Sequence, residues 1–215
     1  MDSSVPPPPS PSRTKLRPWY LVAGMVLTWF VGVHGLNIGF STAAFLRSGT
    51  MPDLTSAALH AGTMADVLEL AGLQALRAML DNARVTYPLA VAEVILSGLL
   101  VVASGLAMGG RRGARSLALQ AIGANALLVL AAFLLTPLVR AAYLQGVLQA
   151  VDTVTLPAPQ REVLTNPGVI QWAWRIKLVV FDLGTLGLGA LALTRARTRT
   201  YFEAVARATE RPEEP

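Results

Sequence analysis

The sequence predicts an all-α protein: an integral membrane four-helix bundle with an amphipathic helix in an outer loop. Three observations carry that expectation. Of 215 residues, 53% are hydrophobic and only 14% charged, whereas a soluble domain carries roughly 25% charged residues. The mean hydropathy is +0.50. The charges fall in short stretches between four apolar runs, each at or above the roughly 20 residues that cross a bilayer.

Residues 1–18 are a polar, basic tail with the run Pro6-Pro7-Pro8-Pro9-Ser10-Pro11. Such a run favours polyproline II and cannot build a core, so it reads as a cytoplasmic spacer. The first span is Trp19–Leu46, too long for the roughly 7–15 apolar residues of a signal peptide, so it is expected to be retained. The second, residues 88–108, opens on Thr86-Tyr87-Pro88, with proline suited to a first helical turn. The third covers 116–139, with Pro137 near its end. The fourth covers 167–194, announced by Asn166 as N-cap and Pro167 at the first helical position. Residues 195–215 form a second cytoplasmic tail.

Orientation follows from the basic residues. Eleven of them (Arg13, Lys15, Arg17, Arg111, Arg112, Arg115, Arg195, Arg197, Arg199, Arg207 and Arg211) flank the spans on one side. The two other connections hold five, namely Arg47, Arg77, Arg84, Arg140 and Arg161. The positive-inside rule then places both termini in the cytoplasm of an inner (plasma) membrane. Arginine outnumbers lysine sixteen to two, which we read as the codon bias of a GC-rich bacterial genome. The sequence pI near 10.2 reflects residues beside apolar runs, so the expected partner of this charge is the lipid bilayer and not nucleic acid.

The first outer connection, about residues 53–85, reads as a helix. Thr63-Met64-Ala65-Asp66 has capping-box spacing, and Arg77 and Asp81 have i,i+4 spacing. Asp66, Glu69, Arg77, Asp81 and Arg84 fall within about 120° on a helical wheel. Met64, Val67, Leu68, Ala71, Ala75 and Met79 take the opposite side. Five charges are prohibitive for a span, so this segment is expected to lie on the outer face or to cap the bundle. The second outer connection, 140–165, is expected to be broken by Pro157-Ala158-Pro159.

Ionisable residues inside apolar spans are costly and therefore candidates for function. They are His34, Glu93, Arg175, Lys177 and Asp182. Comparable depth pairs Glu93 with Arg175 or Lys177, and His34 with Asp182. Wheel geometry puts His34, Asn37 and Ser41 on one stripe, and Glu93, Ser97 and Ser104 on another. Gln171, Arg175 and Asp182 share a face from which Lys177 points away; Gln120 and Asn125 come from the third span. A small-residue face with Gly32, Gly35 and Gly39 allows close helix approach.

Several chemistries are disfavoured. The absence of cysteine removes disulfides and thiolate metal sites, and with them tetraspanin-like or claudin-like outer loops. There is no GxSxG elbow and no metal-spaced cluster, so neither an enzyme nor a metal or other cofactor is expected. Haem would need His60 to return from the outer segment to the depth of His34. The sequence thus favours a non-enzymatic accessory or assembly subunit that meets a membrane-protein partner or a second copy of itself. The alternative is a proton-linked small-solute transporter or channel component using His34, Glu93 and Asp182.

Overall fold

A computed structural model of the chain describes residues 17–50, 63–154 and 156–210. The proline run, His60, Arg211 and the 53–62 part of the outer connection lie outside the described residues. Those described are all-helical, with four helices long and apolar enough to cross a membrane: Trp19–Ser48, Ala83–Met108, Ala114–Leu135 and Pro167–Thr194. We number the elements α1 (Trp19–Ser48), α2 (Met64–Asp81), α3 (Ala83–Met108), α4 (Ala114–Leu135), α5 (Pro137–Thr153), α6 (Ala158–Thr165), α7 (Pro167–Thr194) and α8 (Ala196–Glu210).

Helix boundaries follow local chemistry, and two differ from the expected spans by more than two residues. Thr63 opens α2 with a reciprocal capping box: its N–H donates to Asp66 Oδ2 at 2.7 Å, and Asp66 N–H donates to Thr63 Oγ1 at 3.4 Å. Asn82 ends α2, donating from Nδ2 to the Ala78 carbonyl at 2.8 Å. Its own carbonyl accepts from the Val85 and Thr86 N–H groups, so α3 starts at Ala83 and not at Pro88. The expected span 116–139 ends early, at Leu135. Pro137 has no N–H for the Phe133 carbonyl and crowds it sterically, which stops one helix and starts the next. The residues expected as the loop 140–165 are largely helical, in α5 and α6. The C-terminal tail contains α8.

Two cores result. The larger joins the long helices through Leu21, Met25, Leu100, Ala118, Ile122, Leu186 and Leu193. It is built on glycine. Across α1 and α3, a Cβ on Gly32 would sit 2.8 Å from Val101 Cγ2, and one on Gly39 would sit 3.0 Å from the Val94 nitrogen. A Cβ on Gly35 would collide with Ser97 Oγ. Gly24 and Gly189 play the same part between α1 and α7. The contact of α1 with α7 is concentrated in Gly184–Thr194. The outward faces stay apolar: Phe40, Ile95, Leu127, Leu134, Phe181 and Leu191 are each more than 60% exposed. Such a surface suits hydrocarbon and not water.

The second core lies at the opposite end from the chain termini. There α2 packs along α5, burying Val67, Ala71, Val147, Ala150 and Val151 with Leu164 of α6. A Cβ on Gly146 would lie 2.8 Å from the Ala71 Cα, so the two backbones nearly touch. Two residues expected on the apolar side of α2, Met64 and Leu68, are instead 38% exposed, while Leu73 is buried. The reason is that α5 covers only the strip centred on Val67 and Ala71. At the terminal end, α8 folds back on the bundle. Thr198 Oγ1 donates to the Ala192 carbonyl at 2.7 Å, Phe202 is buried, and the Arg195 guanidinium lies 4.9 Å from the Tyr20 ring.

Gly32→Leu will destabilise the protein by about 1–3 kcal/mol through overpacking, seen as a lower thermal midpoint in detergent. Gly123→Leu will not, because nothing lies within 4 Å of the position a Cβ would take there.

Candidate functional site

Between α1, α3, α4 and α7 lies a cavity of about 420 Å³. Its polar lining includes His34 of α1, Glu93 and Ser97 of α3, Asn125 of α4, and Lys177 and Asp182 of α7. Thr136 and Arg140 line it from the α4–α5 junction. The remaining wall is apolar and aromatic, with Leu89, Leu128, Phe133 and Trp174 among its residues. Of the residues singled out from sequence, His34, Glu93, Asn125, Lys177 and Asp182 therefore meet in one place. Gly35 also borders the cavity, while Gly32 and Gly39 serve the α1–α3 contact. Asn37 is exposed and outside the lining, and so is Arg175, whose guanidinium lies 5.5 Å from the Trp172 ring.

The arrangement on α7 departs from the α-helical wheel for a definite reason. Residues Lys177–Leu183 are π-helical. In an α-helix, positions five apart diverge by about 140°; a turn closed by i→i+5 hydrogen bonds nearly superposes them. Lys177 and Asp182 are five apart, and Lys177 Nζ donates to Asp182 Oδ2 at 2.9 Å and Oδ1 at 3.2 Å. The wider turn also rotates the N-terminal half of α7 relative to its C-terminal half. That is why Lys177 faces the cavity with Asp182 while Arg175 does not, the reverse of the expected partition. Neither of the expected cross-helix pairings, Glu93 with Arg175 or Lys177 and His34 with Asp182, occurs as an ion pair or hydrogen bond among the described residues.

The other polar groups are held individually. Asn125 Nδ2 donates to the Leu96 carbonyl of α3 at 2.9 Å and to the Ala121 carbonyl of its own helix at 2.9 Å, tying α4 to α3 beside the cavity. The Phe133 carbonyl that Pro137 leaves without a backbone donor accepts from the Arg140 guanidinium, whose Cζ also stands 4.1 Å from the Phe133 ring centre. Partial burial holds Arg140 below the ordinary arginine pKa, without discharging it. Trp174 is braced edge-on by Tyr143, ring centres 5.7 Å apart. Glu93, by contrast, has no hydrogen bond or ion pair among the described residues; the charges of Lys177 and Asp182 reach it through space with opposite signs.

Arg140, Trp174, Thr136 and Phe133 were not read as site residues from sequence. The available signal was Pro137 inside an apolar run with a basic residue three positions on: a carbonyl released by proline attracts a nearby donor. Among the described residues, no three His, Asp or Glu side chains stand close enough to hold a metal ion. Comparison with family models, with curated proteins and with solved structures finds no match for this chain.

The Lys177–Asp182 pair predicts an asymmetry between single and double variants. Asp182→Asn leaves a largely exposed ammonium without its counter-charge and will lower the thermal midpoint by about 1–4 °C, the effect of up to about 1 kcal/mol in a chain of this size. Lys177→Gln combined with Asp182→Asn will recover most of that loss, because no charge is then stranded.

Proposed function

We propose that this is a multi-pass bacterial inner-membrane protein that binds a small polar solute between its spans and moves it in a proton-linked manner. What carries the reading is the convergence of His34, Glu93, Asn125, Lys177 and Asp182 on one cavity. Ionisable groups at membrane depth are expensive and mark solute and proton pathways. Three further features support it. The cavity is concave, mostly apolar and sparsely polar, the usual make-up of a small-molecule site. Its charged pair sits on a π-helical segment, an irregularity often found where helices do chemical or binding work. Glu93 is available to take and release a proton, since no neighbour holds it in an ion pair.

This reading ranks above the accessory or assembly role expected from composition, because it rests on a constellation that the fold assembles from four helices. A membrane-protein partner or self-association is compatible with it. The clustering of basic residues at one end of the bundle supports cytoplasmic termini. A reporter that works only outside the cytoplasm will therefore be silent when fused at residue 112 or at the C-terminus; activity at either position would overturn the orientation.

Transport is tested in proteoliposomes with a trapped pH dye, imposing gradients of small amines, carboxylates or neutral amides in turn. One solute class will move protons with the wild-type protein. Glu93→Gln and Asp182→Asn will each slow that movement by about tenfold or more, equal to at least about 1.4 kcal/mol in the step they serve, compared at equal amounts of folded protein in the vesicles. The proposal fails if no class moves protons, or if both variants transport like the wild type.

A further inference from the structure

We propose that the solute is a small organic ammonium ion with an apolar body, bound against the Glu93 carboxylate in exchange for a proton. This rests on the transport reading above and names the substrate class of the same cavity.

Charge accounting singles out Glu93. Five ionisable side chains line the cavity, and they come from four elements. From α7, Lys177 and Asp182 are bonded to each other. From α5, Arg140 is spent on the Phe133 carbonyl and ring. From α1, His34 lies beside Gly35, whose added Cβ would be 3.8 Å from Glu93 Oε1. The element α4 brings Asn125 and no charge. Glu93 of α3 is thus the carboxylate in the cavity with no cation bonded to it among the described residues. In apolar surroundings an isolated carboxylate must neutralise itself, by a proton or by a cation.

The walls choose between kinds of cation. An inorganic ion needs several oxygen ligands to replace its hydration shell; the lining holds a few scattered polar side chains, Ser97 and Asn125 among them, but a larger apolar wall that includes Val31, Ile38, Leu89 and Leu128. An alkylammonium brings its own apolar surface for those walls. Trp174 adds a ring of the kind that attracts desolvated ammonium groups. At about 420 Å³ the space exceeds a single ion and suits a molecule with a short carbon body. An anion would meet Glu93 and Asp182, with both cations already engaged.

The exchange balances. The protonated carboxyl of Glu93 releases its proton to solvent, and the carboxylate so formed pairs with the incoming ammonium. No covalent bond other than O–H breaks and nothing is oxidised or reduced. Protons and ammonium therefore compete for one group.

The test uses the full chain in mild detergent with Trp19→Phe, Trp29→Phe and Trp172→Phe, which leaves Trp174 as the one fluorophore of its kind. n-Butylammonium will shift the Trp174 emission saturably. Wherever lowering the pH loads the carboxyl with its proton, the affinity will fall, by up to about tenfold per pH unit, the slope of one displaced proton. Sodium butyrate and n-butanol will not produce the shift. Glu93→Gln will abolish binding and Glu93→Asp will keep it within about tenfold, about 1.4 kcal/mol; the pH competition needs no variant and stands even if Glu93→Gln misfolds. Binding that is independent of pH, or that survives in a folded Glu93→Gln protein, overturns the proposal. Butyrate or butanol binding as well as butylammonium also overturns it, yet leaves proton-linked transport standing. Absence of proton movement with every solute class overturns the transport reading itself, whatever n-butylammonium does to Trp174.

Discussion

The closeness of α1 to α3 is the constraint on which the rest of the bundle depends. Gly32, Gly35 and Gly39 let the two backbones approach until Ser97 and Val94 lie where side chains would otherwise be. In the bilayer proposed above, that contact is held by dispersion and close packing, since there is no hydrophobic gain in leaving one hydrocarbon for another. Glu93 sits one turn before Ser97 on the same face. Pressed against α1 at its Cβ, its carboxylate has to extend sideways, into the space that α4 and α7 do not fill. The tight pair thus creates both the cavity and its unbalanced charge.

A second constraint runs through the remaining polar groups: an apolar interior has no water to complete a hydrogen bond, so each group must find a partner in the chain. Thr28 returns its hydroxyl to the Gly24 carbonyl at 2.7 Å. Asn125 spends its amide on two carbonyls, and Arg140 covers the one that Pro137 releases. Lys177 and Asp182 answer each other through a widened turn of helix. Among the described residues two groups depart from this: the buried Ser104 hydroxyl, which has no partner, and the Glu93 carboxylate. A structural role would be served by a residue whose partner is built in; a carboxylate without one is the ground on which the binding proposal rests.

The two cores divide the labour. One welds the long helices at the end where the termini meet, so that the cavity lies beyond its tightest layer. The other, between α2 and α5, closes the far end with ordinary alternation of small and branched residues around Ala71 and Gly146. Since α5 begins at Pro137, the same proline that ends α4 also delivers Arg140 to the cavity and launches the helix that α2 packs upon.

Much of this was legible from the residues alone. Composition and run length determine four long apolar helices, because the number of apolar residues needed to cross a bilayer is set by its thickness. The capping box at Thr63 and the Asn166–Pro167 start are local, made by neighbours in sequence, and so can be read there. The ionisable residues could also be named, since any charge in an apolar run stands out. What tertiary structure alone decided is which of them meet. A helical wheel assumes one period, and the π-helical turn at Lys177–Leu183 broke it, exchanging Arg175 for Lys177 at the cavity. That Glu93 is left without a bonded partner depends on how four helices splay around a glycine contact, and that spacing is a sum of packing forces between segments far apart in the chain.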